Sequence, residues 1–313
     1  MASYRTALPQ LVEGSIMLTD GGLETDLIFH RGFELPHFAA CELLRSERGI
    51  RALTDYYNEF AQTAVDARLP FALDTATWRA NPDWCDLLGY SHEEFVRVNR
   101  TAVELAAGVR RHFETEETPI LIVGVIGPRG DGYVVGDLMS AREAMDYHSD
   151  QIVVFEDTEV DLVSALTLTY SSEAVGIVRA ARSAELPVVV SFTVETDGRL
   201  PSGESLREAI EAVDAETSGY AAYFMVNCAY PTHLPTSLFD GEPWTRRVRG
   251  YRANASSLSH AELDAAEQLD DGNPVLLARE FVELRERMPQ LTVIGGCCGT
   301  DVRHIRAIAQ AVS

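Results

Sequence analysis

PILIVGVIG, residues 119–127, is an almost unbroken apolar run of strand length. A strand with one wet face alternates apolar and polar side chains; one covered on both faces does not, and such runs belong to parallel sheets. Outward from it, further strand-like runs recur along the chain: SIMLTD (15–20), LPFALDTAT (69–77), VDLVSALTL (160–168), PVVVSFTVE (187–195), AAYFMVNC (221–228), RVRGYRAN (247–254) and LTVIGG (291–296). Between them lie stretches such as GIRALTDYYNEFAQTAVDAR, EEFVRVNRTAVELAAGVRRHF and PVLLAREFVELRERM, in which apolar residues return at three- and four-residue spacing, as on one face of a helix. Eight alternations predict the α/β class and a single (β/α)8 TIM-type barrel, with residues 1–313 as one domain. An open doubly wound sheet competes, but the first strand runs into DGGLETD rather than a GxGxxG dinucleotide fingerprint. Residues 129–140 and 196–206 read as long βα loops, and the charges of RVRGYRAN suit an edge or rim better than a core.

The composition narrows the functions. The formal net charge of −22 argues against nucleic acid and anionic membranes as partners. All 26 basic residues are Arg, which removes Schiff-base lysines and the P-loop lysine together. No apolar run is long enough to span a bilayer and the N-terminus carries no secretion pattern, so a cytoplasmic location is expected. Five cysteines, an odd number, argue against a disulfide framework. Cys41 and Cys85 stand alone and read as ordinary buried thiols.

A barrel keeps its chemistry at the C-terminal ends of its strands. There the chain places Asp20-Gly21-Gly22, Asp74-Thr75, Asn227-Cys228 and Gly295-Gly296-Cys297-Cys298. Strands six and eight lean over one mouth, so Cys228, Cys297 and Cys298 converge. Three thiols and one vacant position match a catalytic zinc site. Plain buried thiols or a vicinal Cys297–Cys298 disulfide are the alternatives, and His233 and His304 are possible substitute ligands. Binding to the metal deprotonates a thiol outright. Zinc held by three protein thiolates and a substrate thiolate carries excess negative charge, a poor setting for activating water and a good one for a sulfur nucleophile.

DGGLETDL (20–27), VNCAYPTH (226–233) and GGCCGTD (295–301) resemble the homocysteine S-methyltransferase family over essentially the whole chain. The resemblance implies a Zn2+ held by Cys228, Cys297 and Cys298, homocysteine thiolate as fourth ligand and methionine as product. It implies that Asp20 faces the substrate ammonium and that the backbone N–H groups of Gly21 and Gly22 face its carboxylate. Asn227 would orient the loop or the substrate, Thr193 and Glu195 would add polar contacts beyond strand five, and Glu24 would cap the next segment or touch substrate. Many members carry Phe-Glu-Thr at the end of strand four, the Glu contacting the amine; here the stretch is Ala165-Leu166-Thr167. Either Glu195 or Asp74 then supplies the charge, or the acceptor is another thiol or a selenol. The chain is too short for the folate and corrinoid modules of large methionine synthases, which leaves a cationic methyl donor: S-methylmethionine, S-adenosylmethionine or a betaine. Trp78 and Tyr133 are the candidate aromatic faces for it. A non-catalytic thiol- and zinc-binding barrel serving a separate methyl-carrier partner is the competing reading. The oligomeric state is not readable from the sequence.

Overall fold

The computed structural model describes residues 2–312 apart from residue 13. Eight parallel strands close into one barrel in sequence order: β1 (Met17–Thr19), β2 (Phe71–Asp74), β3 (Ile120–Ile126), β4 (Leu162–Leu168), β5 (Val188–Phe192), β6 (Phe224–Ala229), β7 (Val248–Ala253) and β8 (Val293–Gly296). β8 returns to β1 through the pairs Met17↔Val293 and Leu18↔Ile294, which completes the cylinder. All eight expected strands are present.

Seven helices of eleven residues or more dress the barrel: α1 (Glu47–Ala67), α2 (His92–Phe113), α3 (Ala141–Glu156), α4 (Ser171–Ser183), α5 (Leu206–Thr217), α6 (Pro274–Arg287) and α7 (Val302–Val312). Three of them start on a Ser-x-x-Glu capping box: Ser91/Glu94 for α2, Ser140/Glu143 for α3 and Ser205/Glu208 for α5. In each the hydroxyl and the carboxylate satisfy N–H groups that the first turn leaves open. No α-helix follows β6. Three 3-10 turns, Pro231–His233, Thr236–Phe239 and Pro243–Arg247, take its place. Pro231, Pro235 and Pro243 interrupt the segment, and each removes an N–H and restricts the residue before it.

Two apolar layers result. Leu53, Phe60, Ile152, Phe155, Ile177 and Phe281 belong to the layer between sheet and helices, whereas Met17, Leu121, Val123, Leu162, Val189, Met225 and Val293 form a separate cluster that fills the lumen. Leu166 belongs to the lumen cluster, at the end of β4.

β7 corrects the expectation of a rim strand. Its residues are buried except for Arg249, and it pairs with β6 on one side and β8 on the other. Gly250 lets it pass Met225, whose side chain fills the space a Cβ would need. Its charge is carried inward by Arg252, which is 5% exposed and finds two carboxylates there.

Asp161, just before β4, is fully buried. Its carboxylate accepts from the N–H groups of Ser3 (2.6 Å), Tyr4 (2.8 Å) and Ile122 (3.0 Å) and from Arg110 Nη1 (2.8 Å). It thereby ties the N-terminal segment, β3 and α2 together at the end of the barrel where the strands begin. Removing it strips Arg110 of one of its two acids, Glu159 remaining at 2.6 Å, and leaves the buried Ile122 N–H without its partner, at a cost of about 1–3 kcal/mol. Asp161→Ala is expected to lower the urea midpoint by that equivalent with an unchanged denaturant slope.

Candidate active site at the barrel mouth

The sulfurs of Cys228, Cys297 and Cys298 lie within 4.8 Å of one another. Cys228 and Cys297 touch as an oxidised pair with Cα atoms 5.4 Å apart, and Cys298 is free with its Sγ 4.0 Å from that of Cys228. The pairing thus runs between β6 and the turn after β8, not between the neighbours 297 and 298. Zinc–sulfur bonds of about 2.3 Å in a tetrahedron put sulfurs about 3.8 Å apart, close to the Cys228–Cys298 spacing. The donors around the sulfurs also suit thiolates. Asn227 Nδ2 donates to Cys228 Sγ (3.3 Å) and Cys297 Sγ (3.7 Å), and Tyr133 Oη lies 3.4 Å from Cys298 Sγ. Burial pushes the Cys298 thiol up, and Tyr133 opposes the shift. The donor set therefore fits a thiophilic metal ion. His233 and His304 are elsewhere: His233 Nε2 meets Ser257 O (3.1 Å), and His304 is held by Asp301 (3.1 Å) and Asp271 O (2.8 Å). Cys41 and Cys85 are free, buried thiols, as expected.

Asn227 is the organiser of this cluster. Its Oδ1 accepts from Thr167 N (2.9 Å) and Ser191 Oγ (2.6 Å), and its Nδ2 also donates to Thr167 Oγ1 (2.8 Å). One side chain thereby fixes β4, β5 and β6 and aims two sulfurs. It does so at strained backbone: Thr167 (φ 62°) and Cys228 (φ 53°) both occupy the left-handed region, where a non-glycine residue costs of order 1–3 kcal/mol.

Thr193 and Glu195 follow the end of β5 and lie outside the cavity lining. They hold His260: Glu195 Oε1 is 3.0 Å from its Nδ1, and Thr193 Oγ1 is 3.4 Å from its Nε2. His260 Nε2 meets Cys228 O at 2.7 Å, and its ring stacks on Tyr133 with centroids 4.1 Å apart. His260, unforeseen in the sequence, thus links Cys228 to the tyrosine that touches Cys298.

Asp20 does not reach the cavity as a free carboxylate. Arg252 bridges Asp20 and Asp74 and donates from Nε to Gly296 O (3.0 Å); Tyr56 Oη donates to Asp20 (3.2 Å). Burial raises the proton affinity of both acids, and Arg252 pulls it back. Gly21 and Gly22 let this loop pack on the cysteine turn: a Cβ on Gly21 would sit 2.7 Å from Thr300 O, and one on Gly22 2.6 Å from Cys297 O. The N–H of Gly22 is engaged by Thr300 O at 2.9 Å, leaving Gly21 as the glycine placed to offer one. Arg252→Met would leave two buried carboxylates facing each other. It is expected to cost about 3–5 kcal/mol, seen as a lower denaturation midpoint.

Above these residues opens a cavity of about 390 Å³. Its wall includes Leu166, Trp78, Phe29, Phe38, Glu24 and Arg79. Leu166 contributes its apolar side chain where the resemblance led to a carboxylate, and Trp78 Nε1 donates to its carbonyl (3.3 Å). The low-dielectric wall pushes the Glu24 carboxyl up to about 7. A carboxyl raised on folding favours the folded state at pH below its ordinary range near 4.5, and that stability is lost as pH rises through 7. Glu24→Gln is therefore expected to melt a few degrees higher than the parent at pH 8.5 and no higher at pH 5, by calorimetry across that range.

Comparison with known proteins places this geometry. A family model described as homocysteine S-methyltransferase matches residues 17–312. Selenocysteine Se-methyltransferase of Brassica oleracea var. italica is 23% identical over 321 residues, covering 94% of this chain and 88% of that protein. Homocysteine S-methyltransferase 2 of Arabidopsis thaliana is also 23% identical, covering 94% and 92%. Among solved structures, the oxidised form of the Escherichia coli homocysteine methyltransferase MmuM superposes with a TM-score of 0.76 at 20% identity, covering 95% of this chain and 96% of that one. Its metallated form gives 0.74 at 19% identity, with the same coverage. These superpositions establish the shared fold.

Proposed function

The chain belongs to the homocysteine S-methyltransferase family and is a methyltransferase, and from that premise we propose that it moves a methyl group from a small onium donor to the thiol of homocysteine, giving methionine, with zinc held by Cys228, Cys297 and Cys298. The convergence of three sulfurs at one end of a cavity that takes small molecules carries the reading. Bound zinc would keep the acceptor sulfur as thiolate at neutral pH, where a free thiol is only a few per cent ionised. The metallated form known for MmuM supports a metal here.

The chain's own residues do the rest. Asn227 and Tyr133 orient the cysteine sulfurs and lower the basicity of thiolates they donate to. Arg252 neutralises Asp20 and Asp74 in the cavity wall and fixes their positions. Buried Leu166 gives the cavity an apolar surface, with Phe29 and Phe38 lining its more exposed part. In transfer a new S–CH3 bond forms as the donor's bond from methyl to its onium atom breaks; the electron pair stays on that atom, which becomes neutral. Trp78 and Phe29 offer aromatic faces to a cationic methyl group. S-methylmethionine, S-adenosylmethionine and a betaine all meet that description. The reading carries a cytoplasmic location with it, where thiols stay reduced. A selenol acceptor is the second reading, favoured by Leu166 and by the similarity to a selenocysteine Se-methyltransferase.

Protein purified under reducing conditions is expected to hold about one zinc per chain by mass spectrometry. Cys298→Ser should lose both metal and transfer. Homocysteine, selenocysteine and cysteine, each offered with the three donors, would identify the pair used from the mass of the products. Full activity in metal-free protein would overturn the assignment.

A further inference from the structure

We propose that Glu24 and Arg79 clamp the two charged ends of the acceptor's amino-acid group, Glu24 taking the ammonium and Arg79 the carboxylate. The proposal rests on the reading above that the acceptor is an α-amino acid carrying a thiol. Such a zwitterion entering a largely apolar cavity loses water at both charges, and each then needs a partner of opposite sign.

The ionised groups lining the cavity are mostly committed. Asp20, Asp74 and Arg252 satisfy one another. Asp131 and Asp270 are exposed at the rim and bonded there, Asp131 to the N–H groups of Tyr133 (2.8 Å) and Val134 (3.0 Å), Asp270 to Ser256 Oγ (2.6 Å). Asp264 is also exposed. Glu24 differs: it is partly buried in the wall, and its carboxylate is bonded to its own backbone N–H with no ion-pair partner among the described residues. It sits two residues beyond Gly22, which packs on Cys297 and Cys298, so it belongs to the acceptor's end of the cavity.

Arg79 is the complementary case. Its guanidinium lies 3.7 Å from the ring centroid of Trp84 and 4.8 Å from that of Trp78, which fixes its plane. The side chain is 11% exposed and reaches Asp131 only at 3.6 Å. Its Nε is enclosed by the protein, so the residue, which lines the cavity, has its terminal nitrogens to offer a ligand. Glu24 and Arg79 make no ion pair within 4.0 Å, yet each shifts the other electrostatically. Both line the same cavity without pairing to each other, and opposite charges in one cavity wall are what an ammonium and a carboxylate one carbon apart require. Leu166 offers the ammonium nothing, and the Gly22 N–H is spent on Thr300.

The test compares kcat/KM for homocysteine, for 4-sulfanylbutanoate, which lacks the amine, and for 3-sulfanylpropan-1-amine, which lacks the carboxylate, in zinc-loaded wild type, Glu24→Gln and Arg79→Gln. Wild type is expected to prefer homocysteine over both analogues. Glu24→Gln should reduce the preference over the amine-free thiol by roughly 10- to 100-fold and spare the other preference; Arg79→Gln should do the reverse. If Arg79→Gln does not fold, Arg79→Lys, which keeps the charge but lacks the planar fork, decides that half by the same loss. Equal losses for all three acceptors, or a change confined to the KM of the donor, would overturn the clamp. A wild type that methylates none of the three overturns the proposed acceptor itself, and with it the clamp; homocysteine turnover with preferences that the variants leave intact overturns the clamp alone.

Discussion

Arg252 is a guanidinium taken out of water at the centre of a barrel, and its desolvation has to be repaid on the spot. It is repaid by Asp20 at the end of β1, Asp74 at the end of β2 and the carbonyl of Gly296 at the end of β8. With its own strand, β7, that makes four neighbouring strand ends held by one planar cation, around the closure of the cylinder. The Gly295-Gly296 turn that carries Cys297 and Cys298 hangs on the same group, so the height of two of the three sulfurs is set by an interaction that never touches them. On the opposite side Asn227 does the equivalent work for β4, β5 and β6 with neutral hydrogen bonds. Between them these two side chains tie seven of the eight strand ends at the mouth, all but that of β3.

Those two side chains also show what the sequence could and could not disclose. The barrel was legible because burial on both faces writes near-continuous apolar runs, and eight of them in alternation with helical periodicity leave little choice. The three cysteines were legible because strand ends are where a barrel keeps chemistry. Arg252 is not legible in this way, since a charge inside a strand normally signals an edge and the two acids that neutralise it lie 178 and 232 residues away in sequence. Asp20 was expected to face a substrate ammonium for the same reason, its partner being invisible. His260 sits inside a Ser-x-x-Glu cap that reads only as a helix start, and nothing local says that its ring supports Tyr133 and the Cys228 carbonyl. The missing helix after β6 was, by contrast, written in Pro231, Pro235 and Pro243.

Leu166 illustrates a different limit. A sequence shows that a carboxylate is missing from a strand end but not which other group has the room and the freedom to act in its place. Glu195 and Asp74 looked suitable by position. In three dimensions one holds His260 and the other holds Arg252, and both are therefore occupied. Availability is a property of the packed structure, and Glu24 has it because no cation settled beside it.

The exposed acids at the cavity rim have a bearing on traffic. Asp131, Asp264 and Asp270 are exposed and line the same cavity as the sulfurs. A sulfonium donor in the proposed reaction would approach them as a net cation and be drawn in; after giving up its methyl group it would have lost that net charge, and the rim would no longer hold it. The acceptor and its methylated product would be zwitterions of no net charge and feel the ring weakly throughout, as would a betaine. For a sulfonium the same fixed charges would favour entry of the fresh donor over return of the spent one, a one-way turnstile driven by the charge that the reaction consumes.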